Sequence, residues 1–166
     1  DYSFAAGRRA KAVNPGSFAF GDGSNFDFAT AVANEFAVRA TGGVRFVTAI
    51  DGSGNATAGV TLAAGAGSWA SLSDRAAKRD LVPVDGAMVL AKLDALPLYT
   101  WRYKAETPSA LHLGPVAQDF HAAFGLGGSD TTIATVDADG VALAAIQALH
   151  RELRERDARL AAQDAE

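Results

Sequence analysis

The chain has 166 residues, 49% hydrophobic and 20% charged, which supplies a core for one domain or two small ones. A net charge of -4 leaves no basic face to neutralise phosphates and argues against a nucleic-acid partner. The absence of cysteine excludes disulfides, thiolate metal sites and cysteine nucleophiles, and leaves the redox compartment open.

No apolar run is long enough to insert in a membrane, and Asp1-Tyr2-Ser3-Phe4 is not a signal peptide. A start without methionine points to a fragment of a longer protein. His112, His121 and His150 sit in unlike contexts, so neither a metal cluster nor a cofactor is expected.

Residues 1–72 hold eleven of the seventeen glycines and show no helical periodicity. From Ala10 to Ser24, small or apolar residues alternate with turn residues, predicting short strands stacked through tight turns. That stretch resembles the short β-roll repeats of trimeric adhesin heads and phage fibres over one or two repeats. Asn34 to Ala40 and Val44 to Ile50 alternate like strands, with Gly42-Gly43 predicted as a hairpin turn between them. Asp51-Gly52-Ser53-Gly54-Asn55 is a second turn signal, and Ala58 to Leu62 a third strand. Strands so short and glycine-rich bury little within one chain, which favours an intertwined oligomer. Phe18, Phe20, Phe26, Phe28, Phe36, Phe46 and Trp69 supply apolar surface that a disordered linker would lack.

Where this stretch ends stands Ser73-Asp74-Arg75-Ala76-Ala77-Lys78. A serine five residues ahead of a lysine, in one turn-to-helix element, places a hydroxyl near an amine, the minimum for a Ser-Lys nucleophile and base. The same residues also suit a helix start, with Ser73 or Asp74 as N-cap and Lys78 simply solvated.

Further on, Met88, Val89, Leu90, Leu93 and Leu96 form a helical stripe within Val84 to Leu96 that Pro97 closes. Leu98 to Tyr103 alternates like an aromatic-rich strand, and Ala117 to Phe124 suits a short amphipathic helix. Ile133 to Val136 is predicted as a brief strand, Asp137-Ala138-Asp139-Gly140 as a turn, and Val141 to about Gln163 as a long helix. On that helix Ile146, Leu149, Leu153 and Leu160 occupy heptad a and d positions, with Arg156 at the remaining d. Arg151 to Asp157 forms a mixed-charge face suited to interhelical pairs. The fold class read from these elements is α+β: a β-rich stem over 1–72, a mixed α/β domain over 73–140, and a terminal coiled-coil helix over 141–166.

Taken in order, Ser73 to Lys78, Leu96-Pro97-Leu98-Tyr99-Thr100-Trp101-Arg102-Tyr103, His112-Leu113-Gly114-Pro115-Val116-Ala117-Gln118-Asp119-Phe120 and the Asp137 to Gly140 segment resemble one family. It is the C-terminal intramolecular chaperone domain of phage endosialidase tailspikes and tail fibres, the S74 peptidase family. The resemblance covers about residues 72–165.

The resemblance implies a homotrimer that sets three copies of the upstream chain in register, promotes folding of an interwoven β stem, and then cuts itself off. It implies a virion tail fibre or a bacterial cell-surface protein, and it implies Ser73 as nucleophile and Lys78 as general base. Attack on the preceding carbonyl passes through a five-membered ring, which places the cut at Leu72-Ser73, with Ser73-Asp74 as the alternative. The base must be neutral, so burial or neighbouring positive charge from Arg75 or Arg79 is expected at Lys78. Asp74, Arg75, His112 and Gln118 are candidate supporting residues. Hydrogen bonds that hold the fold are the simpler expectation for His112 and Gln118, and core packing for Tyr99 and Trp101. Gly114 before Pro115 is expected as a backbone requirement. The alternative function is a non-cleaving structural or adhesive trimeric tip, and no feature of residues 1–72 specifies a receptor or glycan. A hydrolase acting on other molecules is disfavoured, because no phosphate loop and no G-x-S-x-G elbow is present.

Overall fold

A repeated Phe-Ala pair organises the first strands. Strands β1 (Phe4–Gly7), β3 (Phe18–Gly21) and β5 (Phe36–Arg39) form one parallel sheet in the order β1-β3-β5, with Phe4, Phe18 and Phe36 in register. Parallel pairing without a hairpin puts identical residues over one another, so the three rings stack with centroids 5.3 and 4.8 Å apart. The short β2 (Ala10–Lys11) and β4 (Phe28–Ala29) pair in the same parallel manner. Close rungs require glycine at Gly7, where φ is +87° and a Cβ would lie 1.8 Å from the Gly21 carbonyl oxygen. Buried Ser17 and Thr30 are satisfied between rungs: Ser17 Oγ donates to the Asn14 carbonyl at 2.6 Å, and Asn14 Nδ2 donates to the Thr30 carbonyl at 2.9 Å.

In the third rung Arg39 takes the place that glycine holds in the first two. Its Nε donates to Asp22 Oδ1 at 3.0 Å, and its Nη atoms donate to the carbonyls of Phe26, Arg8 and Ser24. The guanidinium also lies over the Phe28 ring at 5.3 Å. Chain reversal from here leads to an antiparallel sheet, β6 (Gly43–Ile50), β7 (Ala56–Ala63) and β8 (Ala70–Ser71), in the order β6-β7-β8. The predicted turn at Asp51 to Asn55 joins β6 to β7, with Asp51 Oδ1 accepting from the Ser53 and Asn55 amides. Gly42-Gly43 is not a hairpin turn. β5 pairs with β3 rather than β6, because the Phe36-Ala37 pair completes the stack that Phe4 and Phe18 begin.

The computed structural model describes residues 2–107 and 109–165, and these fall into two compact units, 1–81 and 82–166. The strands above belong to the first. The second is built on α1 (Gly86–Asp94), the pair β9 (Tyr99–Trp101) and β10 (His112–Gly114), α2 (Ala117–Phe124) and α3 (Thr135–Gln163). Asp85 caps α1 by accepting from the Ala87 and Met88 amides at 3.0 and 3.2 Å. Gly125, in the left-handed conformation, ends α2. Leu96, Phe120 and Val141 form the core, with Val89, Leu93, Ala123, Phe124 and Ile133 packed against them.

Within the second unit three details differ from the sequence-based expectation. Val136 and the segment from Asp137 to Gly140 are neither strand nor turn but the start of α3, and Ile133 packs on the core without forming a strand. Asp137 lies in the first helical turn, where a carboxylate favours the positive end of the helix dipole. Gly114 has no positive φ, and a Cβ there would meet nothing within 4 Å, so the backbone does not require glycine. Tyr99 is exposed at its strand and donates to Asp119 Oδ2 at 3.1 Å, an interaction that raises the phenol above its ordinary pKa. The α+β class itself agrees with the structure.

Candidate functional site

Ser73 follows β8 after a single residue, Leu72. The ladder pairs Val60 with Ser71 and Thr61 with Ala70, and continues one residue further through the Leu72 amide, which donates to the Gly59 carbonyl at 3.0 Å. The chain then leaves the sheet for a single 3-10 turn, Arg75–Ala77. Asp74 caps that turn, its Oδ1 accepting from the Ala76 amide at 2.8 Å, while the Lys78 amide closes it on the Arg75 carbonyl. An extended strand end followed by one capped turn therefore separates Ser73 from Lys78, and the five-residue spacing becomes a contact. Lys78 Nζ donates to Ser73 Oγ at 2.6 Å.

Both side chains are exposed in the single chain, as are Asp74, Arg75 and Arg79. The expected burial of Lys78 within its own chain is thus not found. Nor is Arg79 committed to the lysine, since its Nε lies 3.5 Å from Asp80 in a surface pair. Asp74, one of the candidate supporting residues, serves the turn through its carboxylate.

The other candidates belong to the second unit. His112 Nε2 is 2.7 Å from Glu106 Oε2, and its ring stacks on Trp101 with centroids 4.6 Å apart. Gln118 stands in the first turn of α2 and lines a cavity of about 510 Å³ with Trp101, Tyr103, Thr131 and Thr132. Trp101 Nε1 is buried without a hydrogen-bond partner among the described residues. Neither these residues nor any others described form a group able to hold a metal ion. Among the described residues, no helix is long and apolar enough to cross a membrane.

The terminal helix presents two faces. Val141, Ala145 and Ala148 are buried and Gly86 meets Ala148 and Ala144 closely, so this face packs α3 on α1. On the heptad positions Ile146, Leu149, Leu153 and Leu160 are all exposed.

What sequence reasoning missed is Gly59, whose carbonyl holds Leu72. An isolated glycine inside a strand pattern is the signal that could have found it, since such residues mark bulges and close backbone approaches. The β6–β7 register does shift between Val47 and Ala49, beside Gly59.

Comparison with known proteins agrees with the motifs. Residues 73–126 match the model of the Peptidase_S74 family, described as chaperone of endosialidase. The matched stretch begins at Ser73 itself and is similar to that family over this third of the chain. No curated protein and no solved structure matches the chain.

Proposed function

We propose that the chain is the trimerising end of a fibre, carrying an intramolecular chaperone that directs folding of the β stem and then releases itself by cutting at Leu72-Ser73. The observation that carries the cutting step is the 2.6 Å contact between Lys78 Nζ and Ser73 Oγ. With Lys78 as the neutral amine, Ser73 Oγ attacks the Leu72 carbonyl carbon while its proton passes to Nζ. The new C–O bond forms, the Leu72-Ser73 C–N bond breaks, and the departing nitrogen takes a proton. Water then opens the ester, leaving a carboxylate on Leu72 and a free amine and hydroxyl on Ser73.

Trimerisation draws its support from surfaces the single chain leaves uncovered. Exposed Phe4 and Phe36 on the stacked strands, and the exposed heptad row on α3, are apolar areas suited to further copies of the same chain. Non-local pairing among three chains is slow because loop closure precedes any reward, and a separately folding trimer raises the effective concentration of the stem strands. Release afterwards leaves the stem kinetically trapped. The partners are therefore two other copies and the upstream fibre chain, and the location is a phage tail fibre or a bacterial cell surface.

A second function is favoured by the exposure of Lys78 and Ser73, whose contact stands open to water in the single chain instead of in an enclosed site. On this view the chain remains an intact structural or adhesive trimeric tip. Intact and native mass spectrometry separate the two. A fragment beginning at Ser73, in a trimeric preparation, is expected; an unchanged full-length mass after prolonged incubation would establish the non-cleaving tip instead. A monomer would remove both.

A further inference from the structure

We infer that β7 acts as the substrate-binding strand for self-cleavage, with Gly59 as the positioning residue that holds Leu72 extended for attack by Ser73. This rests on the proposed role of Ser73 and adds the part of the reaction that role leaves open, namely how the scissile peptide is held.

Endopeptidases commonly bind a peptide as an added antiparallel strand, where main-chain hydrogen bonds fix the backbone and alternate side chains enter pockets. The same arrangement occurs here within one chain. Residues 70 and 71 pair antiparallel with Thr61 and Val60, and the Leu72 amide is bound by the Gly59 carbonyl at 3.0 Å. Leu72 is half-exposed and lines a groove of about 340 Å³ shared with Arg45, Phe46 and Val47. Its carbonyl is the next backbone group after the last ladder bond. Beyond it the Asp74-capped turn fixes the chain from the other side. The Leu72-Ser73 peptide is thereby suspended between two anchored segments, and a strand that slipped would move the reacting carbonyl relative to Ser73 Oγ.

Gly59 is built for this place. Its φ is +148°, and an added Cβ would lie 2.2 Å from the Phe46 carbonyl oxygen and 3.1 Å from Val47 Cα. Both contacts are backbone atoms of β6 at the register shift, so no side-chain rearrangement relieves them. Any larger residue must displace β7 from β6 or rotate its own peptide, and the peptide that rotates carries the carbonyl bound to Leu72. A misplacement near 1 Å in a reacting group costs about a hundredfold in rate.

Amide hydrogen exchange on the full chain carrying Ser73→Ala tests the hold on Leu72 where no cleavage occurs. The Leu72 amide is expected to exchange at least about tenfold more slowly than that of Gly67, in the preceding loop, with protection lost on adding Gly59→Ala while Val60 stays protected. In the chain with Ser73 intact, Gly59→Ala is expected to slow release by about tenfold or more. A Leu72 amide that exchanges like Gly67 in a chain that does cleave overturns the inference alone, as does Gly59→Ala releasing at the unaltered rate. A chain that never cleaves while Leu72 remains protected overturns the role of Ser73, and the inference with it. Should Gly59→Ala fail to fold, exchange at Leu72 in the Ser73→Ala chain decides by itself.

Discussion

Lys78 Nζ lies 2.6 Å from Ser73 Oγ across one 3-10 turn, within reach for a proton to pass between them. A donating ammonium orients the hydroxyl without activating it. Activation requires the reverse bond, serine to amine, and hence a lysine that has given up its proton. Lys78→Arg keeps the charge and the donor but cannot deprotonate, so it separates orientation from base catalysis. We expect Lys78→Arg, Lys78→Ala and Ser73→Ala each to leave only full-length chain on a denaturing gel, with trimer mass unchanged. Processing of the arginine variant at the normal rate would remove Lys78 as base while leaving Ser73 as nucleophile.

The stacked strands depend on glycine at one position and not at another. Gly7 has φ +87° and faces the Gly21 carbonyl oxygen, whereas a Cβ on Gly23 would meet nothing within 4 Å and its φ is not positive. Gly7→Ala combines left-handed strain with a backbone clash and should cost about 2–4 kcal/mol. Gly23→Ala should lie within about 0.5 kcal/mol of the parent. Thermal denaturation of the two variants, at equal protein concentration, checks the difference; equal midpoints would mean the rungs are not in contact.

Acid should loosen the same strands in a defined window. The Thr41 hydroxyl and amide, followed by Ser24, hold the Asp22 carboxyl well below its ordinary pKa. Arg9, then Lys11, bring Asp27 down from 3.8 to about 2. A depressed folded-state value means the contribution is present in full above the unfolded value. It is lost as pH falls from about 4 toward the folded values. Melting temperature is therefore expected to stay flat from pH 7 to 5 on account of these groups and to fall between pH 4 and 2. The deficit of Asp22→Asn relative to the parent should shrink across that window. Both ion pairs that Asp27 makes are solvent-exposed, so its share should weaken in high salt while that of Asp22, whose pair with Arg39 is mostly covered, persists. A deficit for Asp22→Asn that is constant from pH 7 to 2 would contradict this origin.

Local signals made α2 and the Ser73–Lys78 contact legible, and nonlocal pairing hid the rest. Pro115 before and Gly125 after an amphipathic stretch bounded α2 as Ala117–Phe124, where the structure has it. Ser73 and Lys78 were found because their contact closes within five residues. Gly42-Gly43 misled, because a turn dipeptide cannot reveal that β5 takes its partner from an earlier Phe-Ala rung. Asp137 to Gly140 misled in the other direction. Aspartate and glycine are turn formers in isolation, yet here they begin a 29-residue helix whose buried Val141, Ala145 and Ala148 decide the outcome. Whether Lys78 was buried could not be read from spacing at all, since exposure depends on what packs against the turn.

The terminal helix offers a last prediction, resting on the proposed coiled coil. Ile146, Leu149, Leu153 and Leu160 are exposed in the single chain and follow a and d spacing, while Arg156 occupies the d position between Leu153 and Leu160. In a parallel trimer that layer would bring three guanidiniums to the axis, each desolvated on assembly. The neighbouring g and e positions are Glu152 and Asp157, which would face one another between adjacent helices as like charges. The arginine layer and the acidic rim thus compensate one another across chains, and this specifies register at a cost in stability. Arg156→Leu should raise the melting temperature of the trimer by about 2–4 °C, because a buried ionic layer replaced by leucine gains roughly 1 kcal/mol. Arg156→Glu adds acid to an already acidic ring and should shift sedimentation from trimer toward monomer at micromolar concentration. Identical sedimentation and melting for both variants would place Arg156 away from any helix–helix seam.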